Sequence, residues 1–217
     1  MDDIRFYNEE LTEEQIREVT SCICPEEEPV ADDEDLPDGE VDTGSNGDVH
    51  ISTPDGLVYD FQERGDFLLS QSLNGDVMLQ ARQARWSTYP ERPVSVNTAV
   101  AMNVAGDKLE FYLEPELSFE INDVVTPIPT GEITLPQGGR LTPAFSGSQD
   151  ITIYWPDGNT GARVVLYGAY IDIGIARLGG TLTYEGVLGN MDGNALNDIQ
   201  LRGGDVITPP ANNDDLV

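Results

Sequence analysis

"DFLLSQSLNGDVMLQARQARW" (residues 66–86) contains the strongest structural signal in this sequence. Two runs rich in apolar residues flank Asn74-Gly75, and Asn-Gly is the dipeptide most typical of a two-residue hairpin turn. Each run has the length of a strand, and neither shows the spacing of an amphipathic helix. The stretch therefore predicts an antiparallel β-hairpin.

The sequence on both sides repeats this organisation, with turn signals every 8 to 12 residues or so. "VSVNTAVAMNV" (94–104) precedes "KLEFYL" (108–113), and "ITIYW" (151–155) precedes "ARVVLYGAYIDIGIA" (162–176), each pair across a glycine-containing turn. Within the first of these runs, alternation places Val94, Val96 and Thr98 on one face and Ser95, Asn97 and Ala99 on the other. We predict an all-β, antiparallel domain over residues 48–207, with about a dozen strands packed as two sheets.

Residues 1–47 differ from the rest of the chain in composition. Residues 1–42 hold 17 acidic and 2 basic residues, and residues 25–47 combine proline, glycine and acid with few apolar side chains. Such a composition is typical of a solvated linker. Within it, residues 12–21 match a short helix that Thr12 caps. We predict an acidic extension with one short helix at 1–47 and a C-terminal tail at 208–217.

Cys22 and Cys24 are the only cysteines, and both lie in the extension. Disulfides therefore do not hold residues 43–217 together. The Cys-x-Cys spacing is too short for an unstrained bridge between the two. Free thiols, a bond to another segment of a longer chain, and a redox pair all remain open.

The charge of the chain restricts its partners. The net charge is −29 and the pI about 4.1. Nucleic acids and anionic membranes are recognised by basic surfaces, so neither is an expected partner. A divalent cation or a basic protein is what such a field attracts.

The N-terminal residues show no targeting signal. "MDDIRFYNEE" has neither the basic nor the apolar region of a secretory signal, and no run approaches the ~18 apolar residues of a membrane span. A cytoplasmic protein, export by another route, and a fragment of a longer exported protein are all compatible with this sequence.

One motif carries the chemistry: "GNMDGNALND", residues 189–198. Calcium binds six to eight oxygen atoms from carboxylates, amides and main-chain carbonyls, and five of these ten residues have a side-chain oxygen. Positions 6 and 12 of an EF-hand loop, counted from Asn190, are Ala195 and Leu201, so the motif is not an EF-hand. The residues alone leave two interpretations open, a cation site and a polar turn. The oxygen-bearing residues are Asn190, Asp192, Asn194, Asn197 and Asp198.

Three segments in order resemble the von Willebrand factor type D domain. "GDVHISTPDGLVYDFQERGDFLL" (47–69) resembles its start, "SVNTAVAMNVAGDKLEFYL" (95–113) its central hairpin, and "YEGVLGNMDGNALNDIQLRGGDVI" (184–207) its end. The resemblance implies a calcium site in the final loop, joined by the Asp of an early turn. The ligands that it implies are Asp55, Asn190, Asp192, Asn197 and Asp198, with the main-chain carbonyl of Asn194.

The departures from that family also matter. Leu188 replaces the cysteine before Gly-Asn, and the other framework cysteines are absent, as in bacterial members. Disulfide-linked multimers are therefore not expected. Some members cleave themselves at Gly-Asp-Pro-His, but here Val49 replaces the proline, so we do not expect self-cleavage. His50 is then expected to be a satisfied strand or core residue, with pH sensing as the alternative.

These observations favour a non-catalytic, calcium-binding structural or adhesive module of a secreted or cell-surface protein. No nucleophile motif, P-loop or dinucleotide fingerprint is present. The alternative is a module that binds a lipid or a carbohydrate through a groove or an aromatic patch. Exposed aromatic side chains distinguish the two, and we expect them to be buried instead. The residues concerned are Trp86, Tyr89, Trp155, Tyr167 and Tyr170.

Overall fold

The computed structural model describes residues 43–177, 184–199 and 206. The predicted helix at 12–21, Cys22, Cys24 and the tail at 208–217 lie outside the described residues. None of the helices in the described part of the chain has the length and apolar composition to cross a membrane.

The described residues are almost entirely β-structure, with one short 3-10 helix at Ala195–Asn197. The strands are β1 (Gly44–Asn46), β2 (His50–Ser52), β3 (Val58–Asp60), β4 (Gly65–Ser72), β5 (Val77–Arg85), β6 (Ser95–Val104), β7 (Asp107–Tyr112), β8 (Ser118–Ile121), β9 (Val124–Thr126), β10 (Ile133–Thr134), β11 (Arg140–Pro143), β12 (Asp150–Tyr154), β13 (Gly161–Leu166), β14 (Ile171–Arg177) and β15 (Tyr184–Glu185).

These strands form two sheets. The first has the order β10-β11-β12-β13-β14-β1-β2-β3, and the second has the order β15-β4-β5-β6-β7-β8-β9. Every pairing between neighbours is antiparallel. The predicted all-β, two-sheet antiparallel fold is therefore confirmed.

The hairpins read from the sequence are present. β4 pairs with β5 across Asn74-Gly75, and Gly75 has a φ of +77°, which glycine adopts without strain. β6 pairs with β7, and β12 pairs with β13, as the turn signals predict. The run at 162–176 is not one strand, because the chain turns at Gly168 and β13 folds back on β14.

The first strand begins before the change of composition at Asp48. Gly44–Asn46, which the sequence analysis placed in the extension, pair with both β14 and β2. The strand has no apolar residue that would signal it. Its glycine is required by packing, since a Cβ on Gly44 would lie 2.3 Å from the carbonyl oxygen of Ile173.

One apolar core fills the space between the sheets. Trp155 belongs to it, with 4% of its surface exposed, and its indole N–H donates to the carbonyls of Asp76 and Asn103. The expectation of burial is confirmed for Trp155 and is wrong for Tyr89 and Tyr167, which are exposed. Trp86 and Tyr170 are half-buried. The largest fully buried side chains are Phe111, Phe119, Ile51, Leu69, Leu79, Leu109, Leu141, Ile151, Ile153, Ile171, Ile173 and Leu188.

A β-bulge changes the alternation that the sequence predicts in β6. Arg82 pairs with Ala99 but Gln83 pairs with Asn97, so Thr98 is the extra residue. A bulge of this kind shifts the alternation, so that the side chains on the two sides of the bulge no longer follow one inward–outward pattern. Asn97 therefore points at the other sheet, where it donates to the carbonyls of Ser45 and Ile171. Ala99 faces outward against Tyr112, and the prediction that Asn97 and Ala99 share a face is wrong.

Candidate metal centre

The motif at 189–198 is anchored to the edge of the second sheet. β15 pairs with β4, and β4 has a bulge between Leu68 and Ser70. The carbonyl oxygens of Leu68 and Leu69 at this bulge accept from the N–H groups of Val187 and Leu188 at 3.0 and 2.8 Å. Leu188, for which the resemblance implies a cysteine, is fully buried and belongs to the core.

The turn between β2 and β3 reaches the motif from the first sheet. Thr53 closes this turn, because its hydroxyl accepts from the N–H of Leu57 and its carbonyl accepts from the N–H of Gly56. Asp55 lies within the turn. The Tyr59 hydroxyl, on β3, donates to the carbonyl of Val187 at 2.7 Å, which ties the turn to the segment leading into the motif.

Asp198 and Asp55 form the centre of the site. Only 2% of the Asp198 surface is exposed, and the Asp55 carboxyl lies close enough to raise the pKa of Asp198. The Thr53 hydroxyl donates to Oδ2 of Asp198 at 2.6 Å. Among the described residues, Oδ1 of Asp198 and Oδ2 of Asp55 are buried and have no hydrogen-bond partner. Two adjacent carboxylates from opposite ends of the domain thus each leave one buried oxygen unsatisfied.

The electrostatics of Asp198 follow from this placement. Burial raises the pKa of the Asp198 carboxyl, the Thr53 hydroxyl opposes the rise, and the neighbouring Asp55 carboxyl adds to it. Burial also raises the pKa of the Tyr59 phenol, and the charge of Asp198 adds to that effect. The ionised pair therefore costs free energy in the fold unless a cation is bound between the two groups.

The remaining candidate ligands form a polar turn among themselves. The Asp192 carboxylate accepts from the main-chain N–H of Asn194 at 2.9 Å and from the amide of Asn197 at 2.9 Å. Asn190 accepts from the N–H of Asp192 at 3.2 Å. Asn194 caps the 3-10 helix, and its carbonyl accepts from the N–H of Asn197 at 3.2 Å. In this conformation these groups use protein donors, as the polar-turn interpretation predicts.

The motif thus divides into two parts. Asp55 and Asp198 come together with unsatisfied oxygens, whereas Asn190, Asp192 and Asn194 accept hydrogen bonds within the turn. Asn197 belongs to both parts, because its amide N–H donates to Asp192 while its Oδ1 is buried and accepts no hydrogen bond. The main-chain N–H of Asn190 donates to Asp198 and joins the two parts. Within the described residues, no three His, Cys, Asp or Glu side chains are grouped as a metal site. A cation here would therefore depend on two carboxylates together with neutral oxygen atoms.

Sequence reasoning missed two residues of the site. Thr53 holds Asp198, and its position two residues before Asp55 is the signal of a hydroxyl-closed turn that could have identified it. Gly189 has a φ of +84°, and a Cβ there would lie 2.3 Å from Oδ1 of Asp198. The buried carboxylate therefore occupies space that only a glycine leaves free.

His50 lies apart from this site, on β2. Its Nδ1 is 2.6 Å from Oδ1 of Asp60 and its Nε2 is 2.5 Å from Oδ1 of Asp48. The hydrogen bond to Asp60 is the largest cause of a raised imidazole pKa. The residue is a satisfied strand residue but an exposed one. Val49 beside it has a φ of +41°, which a proline, fixed near −65°, does not adopt.

The chain matches no family model, and no curated protein matches it. The resemblance to the von Willebrand factor type D domain therefore rests on the three segments in which the motifs occur.

Proposed function

We propose that this domain is a calcium-stabilised structural module whose metal joins its first turn to its final loop. The observation that carries the proposal is the pair of adjacent carboxylates, Asp55 and Asp198, with one buried, unsatisfied oxygen on each. Buried charges in proteins are usually paired or bound to metals. Calcium suits this donor set, because it prefers hard oxygen ligands and tolerates irregular geometry.

The other members of the motif complete the proposed ligand set. Asp55 and Asp198 would provide the two charges at the centre. Asp192, the side chains of Asn190 and Asn197, and the main-chain carbonyl of Asn194 are the further oxygen donors that the resemblance implies. Since the oxygens of Asn190, Asp192 and Asn194 already accept hydrogen bonds from the protein, binding through them requires their turn to rearrange. Asp55, Asp198 and Oδ1 of Asn197 are the ligands that need the least change, because each has a buried oxygen that accepts no hydrogen bond.

The proposed role of the ion is to stabilise the fold. A ligand that binds the native state alone stabilises it by about 2.7 kcal/mol at a hundredfold excess over Kd. Asp55 follows β2 in the first sheet, and the motif follows β15 in the second, so the ion would join both sheets. A domain of this kind would be rigid where calcium is plentiful and less stable in the low free calcium of a cytosol.

The biological setting belongs to the same proposal. The acidic charge, the all-β fold and the resemblance support a structural or adhesive part of a secreted or cell-surface protein, with no catalytic role. The absence of cysteines from residues 43–217, as in the bacterial members that the chain resembles, agrees with this setting.

Calcium binding tests the proposal directly. Isothermal titration of the full chain with calcium should give one site with a micromolar to millimolar Kd, the range of sensor and extracellular sites. Asp198→Asn removes one charge with little change of shape and should abolish the binding heat. Glu116→Gln removes one charge from an exposed residue between β7 and β8 and should leave binding unchanged.

The opposite results would reject the proposal. If the wild-type chain gives no calcium heat, or if Asp198→Asn binds calcium as the wild type does, the Asp55–Asp198 pair is not a calcium site. The motif would then be a polar turn, and the pair would share a proton.

A further inference from the structure

Four of the aromatic residues that the sequence singles out form one continuous row on the surface, here called the aromatic row: Tyr167, Tyr170, Trp86 and Tyr89. The Tyr167 and Tyr170 rings stack with centroids 4.8 Å apart. Tyr170 meets Trp86 edge-to-face at 6.0 Å, and Trp86 meets Tyr89 edge-to-face at 4.7 Å. The Arg92 guanidinium lies 5.1 Å from the Tyr89 centroid and 5.9 Å from the Trp86 centroid.

The row is built from both sheets. Trp86 and Tyr89 lie in the connection from β5 to β6, and Tyr167 and Tyr170 lie in the turn from β13 to β14. None of the four belongs to the candidate metal centre. The two ends of the row are exposed, with 53% of Tyr167 and 42% of Tyr89 accessible to solvent.

Packing alone does not account for this exposure. A clasp between two loops would need only the contact between Trp86 and Tyr170, which are partly buried. Tyr167 and Tyr89 extend the row outward from that contact in both directions. Contiguous exposed aromatic surface is uncommon on soluble domains and marks binding sites more often than isolated apolar residues do.

The charges around the row select the chemistry of its ligand. Arg92 already lies over one face of Trp86 and one face of Tyr89, so a cationic ligand would meet a like charge beside the row. The net charge of −29 opposes an anionic polymer. A lipid chain needs an apolar cleft, but the space between the sheets is filled by the core. The ligand that remains is neutral, with apolar faces to stack on rings and polar edges to bond with them.

We propose that the aromatic row binds a neutral polysaccharide. A sugar ring presents C–H groups on its faces and hydroxyl groups around its edge, and aromatic side chains combine an apolar body with a polar tip in the same way. The tyrosine hydroxyls both donate and accept hydrogen bonds, and the guanidinium of Arg92 donates them. A row of rings, rather than one pocket, suits a chain of sugars rather than a single sugar.

Trp86 provides a specific reporter for the test. The chain has two tryptophans, and Trp155 is buried in the core with its indole N–H bonded to two carbonyls. A change in tryptophan fluorescence on addition of a surface ligand therefore reports Trp86. The probes are soluble xylan, hydroxyethylcellulose, dextran and a β-1,3-glucan, each also cast in native gels to measure retardation of the full chain.

At least one of the four probes should retard the wild-type protein and change its fluorescence, with little dependence on salt. Tyr167→Ala and Tyr89→Ala should each weaken the binding by about tenfold or more, the loss expected for an aromatic anchor. Phe145→Ala is the matched control, because Phe145 is 71% exposed and lies outside the row. This variant should bind like the wild type.

The proposal is overturned if none of the four probes changes fluorescence or migration, or if both row variants bind as the wild type does. Binding to phosphatidylcholine vesicles without binding to any of the probes would also overturn it and assign the row to lipid. Both variants change exposed ends of the row, and an unchanged melting temperature confirms that they fold. Repeating the titration with Asp198→Asn separates this result from the calcium proposal, since the row uses no residue of that site.

Discussion

At the scale of single residues, the site is defined by a carboxylate that the fold buries and a glycine that makes room for it. Asp198 is 2% exposed, and its Oδ1 lies where a side chain on Gly189 would begin. The sequence identified Asp198 as a possible ligand but gave no sign that it is more buried than Asp192, which is exposed. Burial of a carboxylate depends on the surrounding packing, which a local pattern does not contain.

Two glycines of the motif separate the effect of this contact from the effect of backbone strain. Gly189 and Gly193 have φ angles of +84° and +88°, but only Gly189 has atoms near its missing Cβ. We expect Gly193→Ala to lower the free energy of unfolding by about 1 kcal/mol, the cost of a left-handed alanine. Gly189→Ala should cost at least about 1 kcal/mol more, because it displaces Asp198.

Urea unfolding of both variants measures this difference, and calcium titration should show weaker binding only for Gly189→Ala. Equal losses of stability in the two variants would mean that Asp198 moves aside without cost, and that Gly189 does not help to form the site.

The raised pKa of Asp198 predicts how stability depends on pH. The folded protein holds this proton more tightly than the unfolded chain, whose Asp pKa is 3.8. Above the unfolded pKa, the folded state therefore binds more protons than the unfolded chain does. Without calcium, the Asp198 carboxyl lowers the stability of the fold as the pH rises. Compared with Asp198→Asn, the wild type should lose stability in chelator as the pH rises above the unfolded value of 3.8. Urea unfolding at a series of pH values tests the prediction.

Calcium should cancel this loss at neutral pH, because it binds the ionised form and competes with the proton. If the wild type and Asp198→Asn keep a constant difference in stability from acid to neutral pH in chelator, Asp198 is not the titrating group.

At the scale of elements, the hairpins were predictable and the bulges were not. Asn74-Gly75 and the turn at 156–159 specify their hairpins through local turn chemistry, and β4–β5 and β12–β13 follow from them. The bulges in β4 and β6 leave no comparable signal. They depend on pairing with partner strands, yet they direct Asn97 inward and offer the Leu68 and Leu69 carbonyls to the segment before the motif.

Asn97 is the element-scale test of the bulge in β6. It is fully buried, and its amide bonds to Ser45 and to the carbonyl of Ile171, which joins the two sheets. Asn97→Ala leaves these groups unsatisfied and should lower the free energy of unfolding by about 2–4 kcal/mol. Asn103→Ala removes amide bonds to Gly75 and Gly106 at the turns of one sheet and should cost only about 1 kcal/mol.

Denaturant unfolding compares these two variants. Similar losses in both would show that Asn97 contributes no more than an ordinary turn residue, and the proposed connection between the sheets would not stand.

At the scale of the whole molecule, the all-β class and the two-sheet architecture follow from strand-length runs and turn signals spread along the chain. The candidate site, in contrast, depends on residues that are far apart in the sequence. Asp55 and Asp198 are more than 140 residues apart, and the donation from Thr53 to Asp198 depends on both sheets being in place. The sequence predicted the pair of Asp55 and Asp198 only through a resemblance to a known family. It did not show that these two carboxylates are buried together while Asp192 accepts hydrogen bonds within its own turn.

The aromatic row could not be predicted from local sequence either. Trp86 and Tyr170 belong to different sheets and meet at one surface, although nothing in their local sequence separates them from the buried Trp155. Periodicity identifies which face of a strand is apolar, but it does not apply to aromatic residues in connections and turns.

We propose that one calcium ion stabilises the fold by joining the turn at Asp55 to the loop at Asp198. The most direct measurement is thermal unfolding of the full chain in chelator and in about 2 mM calcium, for the wild type and Asp198→Asn. We expect calcium to raise the melting temperature of the wild type by several degrees and to leave that of Asp198→Asn unchanged. A melting temperature that is the same with and without calcium in the wild type, or that rises equally in both proteins, would contradict the proposal.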